Sequence, residues 1–289
     1  MKIIFFGTPD YVLPILDKLD KHYEIVAIVT QEPKPVGRDQ KLEYSAVDTW
    51  AHKREIHKQF DFKYLPEADL GVCASFGKII PREVTEMFKY GIINIHPSLL
   101  PQYRGATPIP SAMIDGFNPT GVSIIKMDEK MDHGPILTQF KEEILETDTA
   151  ESLRKRLFEK SAQVLIEMIP AYVKGKIKLK KQDDSKATYT KMLTKESGYL
   201  DFELIKNASE LNNNPDFDAG KINRFVKAMK PWPVAWTKII INGKESRLKL
   251  ISSHINNESG YLELDEVQLE GKNPVSWKQF KQAYTNLKN

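Results

Sequence analysis

The sequence has one cysteine, no long apolar run and no recognisable secretion segment. Cys73 alone cannot form an internal disulfide bond, and its apolar neighbours favour a core position over a nucleophilic one. No apolar stretch approaches the roughly 20 residues that a membrane-spanning helix needs. The first residues lack the apolar segment and cleavage site of a signal peptide. We therefore expect a cytoplasmic protein that does not contact a membrane.

Several catalytic signatures are also missing. No Gly-x-Gly-x-x-Gly follows the first predicted strand, which disfavours a dinucleotide cofactor. Gly-x-Ser-x-Gly and His-Glu-x-x-His are absent, so neither a serine nucleophile nor a zinc-protease site is indicated. His96 and His133 lack further ligands at a convincing metal-binding spacing, and no metal is expected.

The composition is that of a globular protein with a weak basic bias. Of the 289 residues, 41% are apolar and 28% are charged, which provides enough apolar material for a buried core. The formal net charge of +3 permits a nucleic-acid partner without requiring one.

The first half of the chain predicts a parallel α/β sheet. Met1–Gly7 has a buried-strand pattern, Thr8 and Pro9 begin a helix, and Tyr23–Thr30 is a second strand. This βαβ order favours an open parallel sheet. From about residue 204, short alternating runs separated by Asn and Gly turns, the last of them Val275–Phe280, predict a small β-barrel that binds rather than catalyses.

Two basic segments leave alternatives open. Gln31–Leu42 contains two prolines and a glycine, which argue against regular structure. It is either a solvated connection or a loop that offers Lys34, Arg38 and Lys41 to a partner. Lys174–Lys195 is Lys-rich and indicates the exit from the first domain. A solvated segment is slightly favoured there over a basic strip along a nucleic-acid groove.

The most informative stretch is Gly91–Gly105, GIINIHPSLLPQYRG. Asn94 and His96 lie two positions apart in a predicted strand, so their side chains share one face. Ligands bind at the carboxyl ends of strands in α/β sheets, and an amide beside an imidazole can polarise a carbonyl and handle a proton. The spacing supports equally well the interpretation that both are hydrogen-bonded structural residues.

A carboxylate would complete this pair, and Asp132 lies in the turn Asp128–Gly134. A carboxylate against an imidazole fixes its tautomer and favours its protonated form. His96 and Asn94 could then stabilise an oxyanion. The three groups suit direct attack by an amine on an acyl carbon without a covalent enzyme intermediate. The sequence leaves Asp128 open as the alternative carboxylate.

Six segments resemble one known family in the right order: GTPD (7–10), TQEPKPVGR (30–38), ASFGKIIP (74–81), NIHPSLLPQYRGATPI (94–109), GVSIIKMDEKMDHGPIL (121–137) and PWPVAWT (231–237). The SLLPxYRG core resembles the folate-dependent formyltransferases, and the GTPD, GR and PWP pieces resemble the branch that formylates methionyl-tRNA. The resemblance implies a Rossmann-like, mostly parallel open sheet followed by an OB-like β-barrel. The expected boundaries are a catalytic domain at 1–188, a linker at 189–204 and a tRNA-binding domain at 205–289.

The resemblance also implies substrates and site residues. It implies 10-formyltetrahydrofolate as the formyl donor, the α-amine of methionyl initiator tRNA as the acceptor, and a monomeric enzyme of translation initiation. Matched by position, the catalytic residues would be Asn94, His96 and Asp132. The folate would contact a run of four residues, Ser98, Leu99, Leu100 and Pro101. The tRNA would meet Arg38 and Lys41.

The chain departs from the family pattern in three places. Gln40-Lys41 stands where paired lysines are usual, so one phosphate contact is expected to be missing. The segment between Glu55 and Leu70 is shortened, and the C-terminal half is compact. These differences bear on the extent of tRNA contact rather than on the chemistry.

Two other functions remain open. A formyltransferase acting on an amino-sugar nucleotide would share the three catalytic residues, although the basic loop and the GTPD start favour tRNA. A non-enzymatic RNA-binding protein with a degenerate α/β domain would bind RNA but not folate. The presence of Asn94, His96 and Asp132 argues against it.

Overall fold

The computed structural model describes residues 1–37, 39–209 and 218–284. The chain forms two compact units, the first of Met1–Gly105, Pro119–Glu143 and Arg154–Tyr189, the second of Ala106–Asn118, Ile144–Leu153 and Thr190–Asn289. The expected domain boundary at residue 188 falls beside the end of the first unit at Tyr189. The second unit also takes 106–118 and 144–153, which the sequence-based boundaries place in the first domain.

The strands, in chain order, are β1 (Lys2–Gly7), β2 (Glu24–Val29), β3 (Lys34–Val36), β4 (Lys41–Glu43), β5 (Lys58–Gln59), β6 (Leu70–Ala74), β7 (Ile92–His96), β8 (Arg104–Gly105), β9 (Thr120–Lys126), β10 (Ile136–Glu142), β11 (Tyr189–Thr190), β12 (Ala235–Ile241), β13 (Lys244–Ile255), β14 (Leu262–Leu269) and β15 (Val275–Ser276). The helices are α1 (Leu13–His22), α2 (Ala46–His52), α3 (Arg82–Thr85), α4 (Pro108–Asp115), α5 (Ala150–Val173), α6 (Phe202–Ser209), α7 (Ala219–Ala228) and α8 (Trp277–Ala283). None of the described helices is both long enough and apolar enough to cross a membrane.

A seven-stranded sheet forms the centre of the first unit, in the order β10-β9-β7-β6-β1-β2-β5. The five strands from β7 to β5 in this order are parallel to one another. β9 is antiparallel to β7, and β10 is antiparallel to β9. The side chains of 3–6 in β1 are fully buried, as expected for a central strand covered on both faces. The predicted α/β fold with a mostly parallel open sheet is confirmed.

The second unit contains a four-stranded antiparallel sheet, β12-β13-β14-β15. One face of this sheet is buried and carries Thr237, Ile239, Leu248, Leu250 and Val267. Helix α7 packs against β13 and β14. This antiparallel sheet is consistent with the small barrel-like domain that the sequence predicted.

Three local predictions were wrong. Thr8 and Pro9 were expected to begin the first helix, but they precede a 3-10 turn at Asp10–Val12, and α1 begins at Leu13. Gln31–Leu42, expected to lack regular structure, contains the antiparallel β3–β4 hairpin. Pro35 is accommodated there because the hairpin has only two strands and proline can occupy an edge. Val275–Phe280, expected as one strand, has only two strand residues before α8 begins. Ser276 and Gln279 form a capping box, which starts the helix.

Candidate active site

Strand β7 carries two of the three predicted catalytic side chains. Asn94 and His96 share one face because side chains alternate along a strand. The strand is paired with β6 on one side and β9 on the other, so its backbone is held from both edges. His96 is 4% exposed, and Asn94 is half-buried. The fold thus presents a rigid amide and imidazole at the carboxyl end of an inner strand.

Asp132 meets both side chains from the loop after β9. Its Oδ1 accepts a hydrogen bond from Asn94 Nδ2 at 3.4 Å and lies 3.5 Å from His96 Nδ1. Its Oδ2 accepts a hydrogen bond from the backbone N–H of Gly105 at 2.8 Å. The backbone of Asp132 is left-handed, with φ of 50°, a conformation that Asp tolerates better than most residues. The three predicted catalytic residues therefore form one contiguous group.

The imidazole of His96 meets an oxygen at each ring nitrogen. Nε2 lies 2.9 Å from the carbonyl oxygen of Tyr103, and Nδ1 faces the Asp132 carboxylate at 3.5 Å. An imidazole can donate from both nitrogens only when both are protonated. The carbonyl oxygen of Tyr103 can only accept, so Nε2 carries a proton, and Nδ1 is the ring nitrogen that faces Asp132.

Asp128 has a different partner. Its Oδ2 lies 2.6 Å from His133 Nδ1, and His133 Nε2 lies 3.3 Å from Asp184 Oδ2. Arg104 donates to the other oxygen of Asp184 at 2.7 Å. This Arg104 hydrogen bond is the main reason that the pKa of Asp184 lies below its usual value; burial opposes the shift, and His133 adds to it. Of the two carboxylates left open by the sequence, Asp132 contacts His96, whereas Asp128 pairs with His133.

The predicted folate residues lie in the loop after β7 with unequal exposure. Ser98 and Leu100 are 0% and 4% exposed, whereas Leu99 and Pro101 are partly exposed. The hydroxyl of Ser98 donates to the carbonyl oxygen of Gln102 at 2.6 Å, which ties the loop to itself. Of these four side chains, Leu99 and Pro101 are therefore the ones with surface open to solvent.

The Lys-rich segment supplies contacts that sequence reasoning missed. The backbone N–H of Tyr103 donates to Thr188 Oγ1 at 2.8 Å, and that of Arg104 donates to the Thr188 carbonyl oxygen at 2.9 Å. Gln182 of the same segment is 6% exposed and accepts hydrogen bonds from Arg104. The segment therefore supports the loop that carries Tyr103 and Arg104. The sequence feature that could have indicated this role is an uncharged glutamine among lysines, and it is weak evidence.

Cys73 is a core residue, as predicted. It pairs with Asn94 across the β6–β7 ladder and is 7% exposed. Burial raises the pKa of its thiol to about 12; a backbone hydrogen bond at Phe76 opposes this shift, and the charge of Asp132 adds to it. A thiol in this state is a poor nucleophile because the thiolate is the reactive form.

The predicted tRNA contacts are only partly described. Arg38 lies outside the described residues, and Lys41 is exposed at the first position of β4. Lys34 is exposed on the paired strand β3. In the part of the chain that the structure describes, no group of three or more His, Cys, Asp or Glu side chains could hold a metal ion.

Comparison with known proteins identifies the class. Residues 1–169, more than half of the chain, match the family described as formyl transferase. The methionyl-tRNA formyltransferase of Fusobacterium nucleatum subsp. nucleatum is 35% identical over 268 residues, which cover 89% of this chain and 81% of that protein. The chain belongs to the methionyl-tRNA formyltransferase family.

Solved structures share the fold over nearly the whole chain. A methionyl-tRNA formyltransferase from Clostridium thermocellum superimposes with a TM-score of 0.58 at 20% identity, covering 93% of this chain and 98% of that one. A sugar 3N-formyl transferase, solved with dTDP and 5-N-formyl-THF, superimposes with a TM-score of 0.65 at 20% identity, covering 94% and 99%. Because both structures are only 20% identical to this chain, they establish its fold and nothing further.

Proposed function

We propose that this protein transfers the formyl group of 10-formyltetrahydrofolate to the α-amine of methionyl initiator tRNA, acting as a cytoplasmic monomer in translation initiation. The observation that carries the proposal is the Asp132 carboxylate, which joins the Asn94 amide and the His96 imidazole at the end of β7. Family membership supports the two substrates.

The reaction needs an oxyanion to be stabilised and a proton to be moved. The methionyl amine attacks the formyl carbon, a new carbon–nitrogen bond forms, and the carbonyl electrons move onto oxygen. Collapse of this intermediate breaks the bond to the folate nitrogen, which leaves with the proton that the attacking amine loses. The products are formylmethionyl-tRNA and tetrahydrofolate.

The geometry supports a division of roles among the three residues. Asn94 has a second amide hydrogen besides the one directed at Asp132, and this hydrogen can meet the developing oxyanion. The 3.5 Å separation between His96 Nδ1 and Asp132 is longer than an ordinary hydrogen bond, so a substrate oxygen or a water can share that proton. Asp132 holds the orientation of His96, because the other carboxylate oxygen of Asp132 is anchored by the backbone N–H of Gly105.

The basic hairpin supports an RNA substrate. Lys34 and Lys41 are exposed on β3 and β4, and Arg38 lies between them in the sequence. Lysine and arginine contacts to phosphates make binding depend steeply on salt. We propose that this hairpin meets the acceptor stem and that the second unit adds further tRNA contact.

One assay tests the proposal directly. Formyl transfer from 10-formyltetrahydrofolate to methionyl initiator tRNA should proceed, and methionyl elongator tRNA, the matched control, should be a poor acceptor. Absence of transfer to initiator tRNA by a protein that binds folate would refute the tRNA assignment. Absence of folate binding would refute the enzyme class and leave the RNA-binding alternative.

A second candidate function is formyl transfer to an amino-sugar nucleotide, because the chain shares its fold with a sugar 3N-formyl transferase. The same transfer assay with an amino-sugar nucleotide in place of tRNA as the acceptor tests this function. For a tRNA that neutralises several phosphates, apparent affinity should fall steeply as salt rises. A sugar-nucleotide acceptor should show a much shallower dependence.

A further inference from the structure

The second unit contains a cavity of about 360 Å³ beside the sheet. We call it the Trp232 pocket and define it by six lining residues: Lys195, Trp232, Trp236, Arg247, Lys249 and Glu270. A volume of this size lies within the range of small-molecule sites in proteins. The pocket combines aromatic rings with cations, and none of its residues belongs to the catalytic group.

The strand register places the pocket on the outer face of the sheet. Trp236 of β12 pairs with Lys249 of β13, which in turn pairs with Gln268 of β14. Arg247 lies two residues before Lys249 and therefore points to the same face. Three neighbouring strands thus direct an aromatic ring, two cations and an amide toward one surface.

Trp236 forms a fixed wall of the pocket. Its Nε1 donates to the carbonyl oxygen of Lys195 at 2.8 Å, and the Arg247 guanidinium lies 3.9 Å from the centre of its ring. Tyr199 packs against the same indole with ring centres 4.9 Å apart. These contacts leave Trp236 only 7% exposed. The wall is therefore rigid before any ligand binds.

Trp232 is the exposed aromatic surface of the pocket. Its side chain is 53% exposed, which is unusual for a tryptophan within a folded domain. An exposed indole face beside a cavity offers a stacking surface to another flat ring. A packing role alone would not leave a tryptophan this exposed.

The charges around the pocket favour an anion. Lys195, Arg247 and Lys249 contribute three positive charges, and Glu270 contributes one negative charge. Among the described residues, none of the three cations forms an ion pair with a carboxylate. A ligand that carries both an aromatic ring and negative charge matches this combination.

We propose that the Trp232 pocket binds an unpaired nucleotide of an RNA strand. The base stacks on Trp232, and the flanking phosphate meets Lys249, Lys195 and Arg247. Proteins bind single strands through this pairing of aromatic platforms with a basic groove. A base inside a duplex is excluded, because its faces are already stacked on its neighbours. That the strand belongs to tRNA rests on the proposed function, whereas the binding itself does not.

The test measures binding of a short fluorescein-labelled oligouridylate by anisotropy, using the full chain. Trp232→Ala should weaken binding by about tenfold to a hundredfold, the range expected for the loss of one base stack. Trp232→Phe keeps an aromatic face and should bind within a few-fold of the unchanged protein. Lys249→Gln should weaken binding and lower its salt dependence. Lys244→Gln, at an exposed lysine of the same strand outside the pocket, should leave both unchanged.

Three outcomes would overturn the proposal. The first is unchanged oligouridylate binding by a folded Trp232→Ala protein, and the second is that Lys244→Gln weakens this binding as much as Lys249→Gln does. The third is that uridine monophosphate binds as tightly as the oligonucleotide. The last outcome would indicate a site for free nucleotides. Thermal melting confirms folding, and the exposure of Trp232 makes its replacement tolerable. The binding assay does not depend on formyl transfer, so its result is independent of whether the proposed enzymatic function is correct. If transfer to tRNA is observed, Trp232→Ala should raise KM for tRNA without changing KM for folate.

Discussion

The side-chain nitrogen of Gln182 donates hydrogen bonds to the carbonyl oxygens of Asp132 and Gly134, each at 2.8 Å. Its Oε1 accepts from Arg104 Nε at 3.1 Å and from Nη2 at 2.8 Å. Gln182 and Arg104 are 6% and 2% exposed, so these hydrogen bonds lie out of water. The backbone of the loop that carries Asp132 is therefore held by a buried amide that lies 50 residues further along the chain.

Gln182→Ala should lower kcat by about tenfold or more with little change in KM for folate, because a displaced Asp132 no longer aligns His96. The loss of buried hydrogen bonds should also cost about 1–3 kcal/mol of unfolding free energy. Steady-state kinetics and thermal melting check the two effects. Gln163→Ala, at an exposed glutamine of α5, is the matched control and should change neither. Normal kcat in a Gln182→Ala protein would show that the loop keeps its position without this amide.

Asp132→Asn and Asp128→Asn are matched variants, because each changes an aspartate beside a histidine. Asp132 lies beside His96, and Asp128 lies beside His133. Asp132→Asn removes the charge beside His96 and should reduce turnover by at least about 100-fold, the scale of general acid–base assistance. His96→Ala should cause a loss on the same scale in a folded protein. Asp128→Asn affects the His133 pair and should cost much less. Equal losses from the two aspartate variants would contradict the assignment of Asp132.

The shared face of Asn94 and His96 was predictable because it follows from a local rule. A period of two places Asn94 and His96 on one face whatever the rest of the chain does. The third residue was not fixed by such a rule, since Asp132 and Asp128 stand in the same turn. The two aspartates have different partners in the structure. Asp132 is held by the backbone N–H of Gly105, which is distant in the sequence, and Asp128 contacts His133 within the same turn.

Residues of the Lys-rich segment illustrate the limit of composition. Lysine is the most prominent residue type of 174–195. The structural contacts, however, are made by Gln182 and Thr188, which form hydrogen bonds with groups that are distant in the sequence. Such contacts depend on tertiary proximity and leave no periodic pattern. The start of α8 is a different case, because Ser276 and Gln279 form a capping box whose signature is visible in the sequence.

Gly134→Ala should disrupt the loop that carries Asp132. A Cβ at residue 134 would clash with the carbonyl oxygen of Lys126, which is backbone and cannot rotate away. The loop must shift, and Gln182 would lose its partner at the Gly134 carbonyl oxygen. We expect a lower melting temperature together with a loss of kcat. Gly175→Ala is the control for added side-chain volume, since nothing lies within 4 Å of a Cβ there, although its φ of 66° adds some strain.

Glu142 should make the stability of the first unit depend on pH. Its side chain, 9% exposed, accepts hydrogen bonds from Arg156 Nε at 2.8 Å and from Lys160. Burial raises the pKa of this carboxyl, but the hydrogen bonds and charges of Lys160 and Arg156 outweigh burial and hold the pKa below its usual value. A lowered folded-state pKa means that the stabilisation is complete above the unfolded pKa of about 4.3 and is lost as pH falls through the folded value.

Glu142→Gln should therefore lower the unfolding free energy by about 2 kcal/mol at neutral pH, the scale of hydrogen bonds to charged groups. The difference from the unchanged protein should shrink as pH falls below about 4, because the unchanged carboxyl becomes neutral as well. Chemical denaturation at a series of pH values measures this difference. Glu143→Gln, at the exposed neighbouring glutamate, removes the same charge without these partners and should have little effect at any pH. A difference between Glu142→Gln and the unchanged protein that stays constant down to acidic pH would show that Glu142 acts through packing rather than through its charge.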